Sequence, residues 1–293
     1  MIHSTFEHDG AHATLHRADA VSFLQSLEPE TVALTFTSPP YCIGKEYDNS
    51  HTLDAFIAEF DRSLESIIAA TAAGGAICWQ VGHHVSNGCI TPLDAIIIER
   101  LRRRSDVSLR NRVVWSFAHG AHAKKRLSGR HETVLWYSKG EPLHFDLDSV
   151  RVAQKYPGKR HYKGPKKGEL SGNPLGKNPG DVWDIPNVKS RHPEKTAHPC
   201  QFPIALARRV IRALAPPSEL VIDPYMGSAT TGIACLLEGR NFEGCDVENT
   251  YIQLAAARFG KLLEGELQMR PDRPPREPSP HEAVAKKPAH FKW

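Results

Sequence analysis

The chain has 293 residues, of which 40% are hydrophobic, and a formal net charge of +4 with an isoelectric point of about 8.7. That suffices for a packed core, and no apolar run reaches the roughly 18 residues of a membrane span. Met1-Ile2-His3-Ser4 does not open a basic-then-apolar leader, so secretion is not expected and a cytoplasmic location is.

Residues 13–38 read as strand, helix, strand. Residues 31–36 form a short apolar run that Ser38-Pro39-Pro40 ends, because a double proline cannot continue a central strand. Residues 53–73 predict an amphipathic helix with Phe56, Ile57, Phe60, Leu64, Ile67 and Ile68 on one face, stopped by Gly74-Gly75. A buried strand follows at 76–81, a helix at 92–104, and strands at 111–117 and 132–137. Trp115, Phe117 and Trp136 read as strand core. From about Glu141 to Arg191 periodicity vanishes in favour of Gly, Pro, Lys and Asn, as in functional or mobile segments. Order returns with a helix at 202–214, a strand at 219–223, a helix at 230–238, a strand at 241–246 and a helix at 251–263. The tail from Gln268 is Pro-rich and charged, so disorder is expected. Helices alternating with apolar strands imply an α/β fold, Rossmann-like, with a doubly wound and mostly parallel sheet.

Two segments carry chemistry. Residues 220–232 read as a strand, a small-residue turn (Asp223-Pro224-Tyr225-Met226-Gly227-Ser228-Ala229) and a helix start, which Thr230 or Thr231 can cap. Gly227 and Ser228 allow a ligand close to the backbone. About twenty residues on, Asp246 ends the next strand, where a carboxylate can accept hydrogen bonds from ribose hydroxyls. The second segment is Thr37-Ser38-Pro39-Pro40-Tyr41. An exocyclic base amine is a poor nucleophile because its lone pair is delocalised. Ser38 Oγ and the Pro39 carbonyl can accept its two protons, Pro40 helps fix the backbone, and Tyr41 offers a face to stack a flipped base. Alone, this motif is also what any proline turn after a strand looks like.

Positive charge concentrates in Lys124, Lys125, Arg126 and Arg130, and in 151–167, where Lys155, Lys159, Arg160, Lys163, Lys166 and Lys167 occur with no acidic residue. Such clusters suit DNA phosphates. The six cysteines form no C-x-x-C pair, and His83-His84 lack further ligands at sensible spacing, so no metal is expected. Pro199-Cys200-Gln201 resembles the nucleophile motif of cytosine carbon-5 methyltransferases, but it precedes the cofactor turn instead of following it.

Together the two motifs resemble the DNA amino-methyltransferases. Asp223–Thr231 is similar to that family's D-P-F-x-G-S-G-T-T, with Tyr225 for Phe and Ala229 for the second Gly. The order, catalytic motif first, resembles the circularly permuted beta class. The resemblance implies S-adenosyl-L-methionine as cofactor and double-stranded DNA as substrate. It implies a catalytic half at 1–140, a target-recognition insertion at 141–191, a cofactor half at 192–265 and a tail at 266–293. Ala18-Asp19-Ala20 resembles the G-D-A whose Asp holds the cofactor's adenine amine. His198–Pro203 resembles the segment beside the methionine end, which brings in Phe202, and Asp181–Pro186 is also similar to the class. The implied cofactor residues are Asp19, Phe202, Asp223, Tyr225, Gly227, Ser228, Thr230 and Asp246. Ser at the first catalytic position favours cytosine N4, with adenine N6 the alternative. An RNA or protein amine methyltransferase and an inactive nucleic-acid-binding module are further readings. A cognate restriction endonuclease is a candidate partner, and the chain is expected as monomer or homodimer.

Overall fold

The computed structural model describes residues 2–40, 52–86, 88–120 and 122–271. They divide into a large unit, Met1–Val150 with Pro179–Arg270, and a second unit at Arg151–Asn178.

The large unit is built on a nine-stranded sheet. In chain order its strands are β1 (Ile2–His8), β2 (Ala11–Arg17), β3 (Val32–Thr37), β4 (Thr71–Val81), β7 (Val107–Ser116), β8 (His131–Lys139), β9 (Val182–Asp184), β10 (Leu220–Asp223) and β11 (Asn241–Asp246). A separate hairpin pairs β5 (His83–Ser86) with β6 (Cys89–Pro92). The spatial order is β1-β2-β11-β10-β3-β4-β8-β7-β9. The five strands from β2 to β4 are parallel, and β1 and β8 run against their neighbours.

Helices cover both faces. Phe23 and Leu24 of α1 (Ala20–Ser26), the apolar face of α2 (Leu53–Ala70), and Leu93, Ile97 and Leu101 of α3 (Leu93–Leu101) pack on Ile77, Trp79, Leu135 and Ile222. On the other face α4 (Ile204–Leu214), α5 (Thr230–Leu237) and α6 (Asn249–Leu263) pack on Leu15, Leu34, Phe36 and Val221. The period-2 alternation of Ala76-Ile77-Cys78-Trp79 thus serves two cores. Helix α5 carries the chain from β10 to β11, whereas α1 and α2 precede β3 and β4 on the opposite face. The direction of winding therefore reverses between β10 and β3, which opens a crevice at their carboxyl ends.

Several expectations need correction. Helix α2 stops at Ala70, three residues before the expected end, and Gly74-Gly75 lie inside β4. The β-branched Thr71 leaves the helix and its hydroxyl caps the Ile67 carbonyl at 2.7 Å. Gly75 is required by close packing, since a Cβ there would lie 2.9 Å from the Ala72 carbonyl oxygen and 3.0 Å from that of Val32. Within 141–191, expected to be irregular, Asp148–Val150 form a 3-10 turn and β9 pairs with β7. Neither Thr230 nor Thr231 caps α5: the cap position is Ala229 and both threonines lie inside the first turn. The tail from residue 272 falls outside the described residues.

Candidate active site

A cavity of about 300 Å³ opens where the sheet winding reverses. Residues just beyond four parallel strands line it: Ala18–Ala20 after β2, Ser38–Pro40 after β3, Pro224–Ser228 after β10, and Asp246–Glu248 after β11. Residues on α2, the 198–202 loop, Thr230 and Tyr251 complete the wall. The two motifs, far apart in sequence, thus share one small-molecule-sized site.

A buried hydrogen-bond knot joins them. Thr37 Oγ1 donates to Asp223 Oδ1 at 2.6 Å, Thr231 Oγ1 donates to Oδ2 at 2.9 Å, and the Tyr225 amide donates to Oδ1 at 3.1 Å. Burial pushes the Asp223 carboxyl up to about 6, against these hydrogen bonds. Asp223 therefore fastens the ends of β3 and β10 together and does not line the cavity, unlike the other seven expected cofactor residues.

The turn above it is shaped by steric limits. Gly227 has φ +47, and a Cβ there would lie 2.6 Å from His198 Nε2, whose ring packs edge-on to Tyr251 at 4.5 Å. Ala229 adopts the left-handed conformation at φ 52, which explains why glycine suits this place in the resembling motif. The Gly227 amide donates to Asp246 Oδ2 at 3.1 Å and the Glu248 amide to Oδ1 at 2.8 Å. Asp246 itself lines the cavity, and a carboxylate oxygen can accept more than one hydrogen bond.

Asp19 caps α1, accepting from the Val21 and Ser22 amides at 3.0 and 3.4 Å. It also takes both Arg62 terminal nitrogens, at 2.9 and 2.8 Å. The Arg62 hydrogen bonds hold its carboxyl below the usual range. Arg62 further donates to Glu59, and Tyr225 Oη donates to Glu59 at 2.5 Å. Glu59 and Arg62 line the cavity, as do Glu248 and Tyr251, and sequence reasoning identified none of the four. Arg258, only 4% exposed, donates to the Ser228 carbonyl and to Thr230 Oγ1, bracing the turn from α6. Phe202 lies 5.2 Å from Phe36, ring to ring.

Ser38 and Pro40 are half-buried and Pro39 is buried, all at the cavity wall. Tyr41 lies outside the described residues. Cys200 also lines the cavity. Lys124, Lys125 and Arg126 are exposed, and Arg130 is half-buried, in the loop between β7 and β8. Lys155, Lys159, Arg160, Lys163, Lys166 and Lys167 are exposed in the second unit, where Arg160 bridges to Leu170 and Val152 to Lys177. Among the described residues no His, Cys, Asp and Glu group is arranged to hold a metal, and no helix is long and apolar enough to cross a membrane.

The cavity presents four carboxylates, Asp19, Glu59, Asp246 and Glu248, to one guanidinium, Arg62, beside the apolar Phe202 and Met226. That donor set fits a ligand with a cationic centre, ribose hydroxyls and an aromatic base, as S-adenosylmethionine has.

Comparison with known proteins agrees. Residues 32–257 match the N6/N4 methyltransferase family described as DNA methylase. The type II methyltransferase M.BglII of Bacillus subtilis is 39% identical over 253 residues, covering 86% of this chain and 69% of that protein. The fold is shared with the PvuII cytosine-N4-specific DNA methyltransferase, at TM-score 0.68 and 21% identity, over 87% of this chain and 93% of that one. It is also shared with a DNA modification methylase of Thermus thermophilus solved with S-adenosyl-L-methionine. There the TM-score is 0.61 and the identity 25%, over 86% of this chain and 94% of that one.

Proposed function

We propose, on the premise that the chain belongs to the N6/N4 DNA methylase family and is an S-adenosylmethionine-dependent DNA methyltransferase, that its acceptor is the exocyclic amine of a flipped base, cytosine N4 ahead of adenine N6. One observation carries this reading: Ser38 and Pro39 open onto the same cavity as the Gly227-Ser228 turn and the Asp19 and Asp246 carboxylates. A base amine and a methyl donor held there would be neighbours, which removes most of the entropy cost of a bimolecular step.

When bound, the cofactor supplies an electrophilic methyl group. Asp246 would take its ribose hydroxyls, Asp19 its adenine amine and Tyr225 its base face. Ser38 Oγ and the Pro39 carbonyl would accept the two amine hydrogens, drawing the nitrogen lone pair out of conjugation and toward the methyl. A neutral serine hydroxyl in that place supports cytosine N4. Similarity to a type II methyltransferase supports a modification role beside a restriction endonuclease.

The decisive experiment incubates the protein with unmethylated DNA and isotopically labelled cofactor, then digests the DNA and resolves the nucleosides by mass spectrometry. Label in N4-methylcytosine is expected. Label in N6-methyladenine overturns the base assignment, and unlabelled DNA overturns the acceptor. Ser38→Ala should lower kcat by roughly a hundredfold, as for loss of one positioned hydrogen-bonding group, with cofactor affinity unchanged by calorimetry. An undiminished kcat would remove Ser38 from the chemistry.

A further inference from the structure

The loop between β7 and β8 carries an aliphatic side chain, Leu127, that is not part of the cavity wall. Leu127 is 93% exposed, the most exposed of the large hydrophobic residues described. A lone surface leucine is ordinary. This one follows Lys124, Lys125 and Arg126, all exposed, which form no ion pair among the described residues, and residues 117–130 include no acid.

The loop is held at its neck. The Phe117 amide donates to the Arg130 carbonyl at 2.9 Å, and Asn187 Nδ2 donates to the His119 carbonyl at 2.9 Å. Nearer the tip, the Ala123 amide donates to Ser128 Oγ at 3.1 Å, and Arg126 donates to the Leu127 carbonyl at 3.1 Å. Gly129 lies so close to the His83 ring that a Cβ would fall 2.9 Å from it. These contacts present Leu127 to solvent.

Strand directions place the loop on the working edge. β3 and β4 are parallel, β8 opposes β4, and β7 opposes β8. The ends of β3 and β7 and the start of β8 therefore share the edge that bears Ser38. At roughly 4.8 Å per strand, the loop springs from strands roughly 10 to 15 Å from β3. That is well within one turn of duplex, roughly 34 Å.

We propose that Leu127 enters the base stack beside the target base as an apolar wedge, while Lys124, Lys125 and Arg126 hold the flanking phosphates. The proposal rests on the DNA methyltransferase reading above. Aliphatic wedges with neighbouring cations are a physically sound way to unstack a step, because the apolar contact replaces lost stacking and the phosphates supply the attraction.

The test uses a duplex oligonucleotide containing a site the wild-type protein methylates, in matched form and with the target base mispaired. Leu127→Ala should lower kcat/KM on the matched duplex by about tenfold, since flipping a paired base costs a few kcal/mol and a mispaired one less. Most of that loss should be recovered on the mispaired duplex, with cofactor affinity unchanged and Leu127→Met close to wild type. Unfolding should not intervene, because the side chain touches no core. Equal loss on both duplexes, or none on the matched one, overturns the wedge while wild-type labelling keeps the methyltransferase reading intact. A wild-type chain that labels no DNA at all, so that no such duplex can be chosen, overturns both.

Discussion

Asp223 receives hydrogen bonds from both motifs at once, and its titration gives the site a pH signature. Its folded pKa of about 6 lies above the ordinary 3.8 because burial outweighs its three donors. The folded state thus binds the proton more tightly. The stabilisation from this group is complete below about 3.8 and is lost as pH rises through about 6. Asp223→Asn removes the titration, while the amide oxygen can still accept from Thr37 and Tyr225. Stability of wild type relative to this variant should fall by on the order of 3 kcal/mol across that window, from 1.36 kcal/mol per pK unit. Urea unfolding of both proteins through the window measures it, and a constant difference would mean that the carboxyl ionises normally. Ala229 poses a different question. Its left-handed backbone costs about 1–2 kcal/mol. Glycine would remove that cost, lose roughly 0.8 kcal/mol of buried methyl and add roughly 0.4–1 kcal/mol of unfolded-state entropy. Ala229→Gly should therefore change stability by less than about 1 kcal/mol, whereas Ala229→Val, β-branched and fully buried, should be strongly destabilising. Thermal melts of the two variants compare these terms directly.

Helix α2 shows what an element adds that a motif does not. Its buried face is periodic in sequence, and Phe56, Phe60, Leu64, Ile67 and Ile68 all pack as that period implies. Its polar face carries Glu59 and Arg62, a spacing that any solvated helix can have, so nothing in the sequence marked them as cavity residues. Only the fold shows Arg62 bridging Asp19 and Glu59, with Tyr225 completing the set. Arg62→Leu should weaken cofactor binding, because two cavity carboxylates lose their shared cation and repel. Its effect on stability should stay within about 1 kcal/mol, since the ion pairs are part-exposed. Tyr225→Phe keeps the ring and should hold affinity within roughly tenfold, the worth of one hydrogen bond. Calorimetric titration with S-adenosylmethionine distinguishes them, and equal loss in both would assign the effect to the Tyr225 hydroxyl. The same scale explains the missed strands. Asp9-Gly10, both at positive φ, is the two-residue turn that joins β1 to β2, and its D-G signal was present in the sequence. β9 has only three residues, Val182–Asp184, too few to show a period, and is fixed by pairing with β7. The loop–strand–turn logic of 219–246 was legible because apolar strands and small-residue turns are local signals. The knot on Asp223 was not, because its donors come from distant segments.

At the scale of the whole molecule, the modest net charge of +4 understates the attraction for DNA because the cations are segregated. Lys124, Lys125 and Arg126 stand on the edge of the large unit that bears Ser38, and Lys163, Lys166 and Lys167 stand on the second unit. Each phosphate neutralised contributes about 0.9 to the slope of log affinity against log salt. Replacing the first three residues with alanine should therefore reduce the slope by about 3, and replacing the second three should do the same if they too meet phosphates. The combined variant should lose about 5, because sites that act only through separate phosphates add. The measurement is a fluorescence titration of a labelled duplex at several salt concentrations, with cofactor present. A slope unmoved by the second triple would confine the phosphate contacts to the large unit. It would also move the search for base-specific contacts away from Arg151–Asn178, since loops that read bases are held in register by the phosphates beside them.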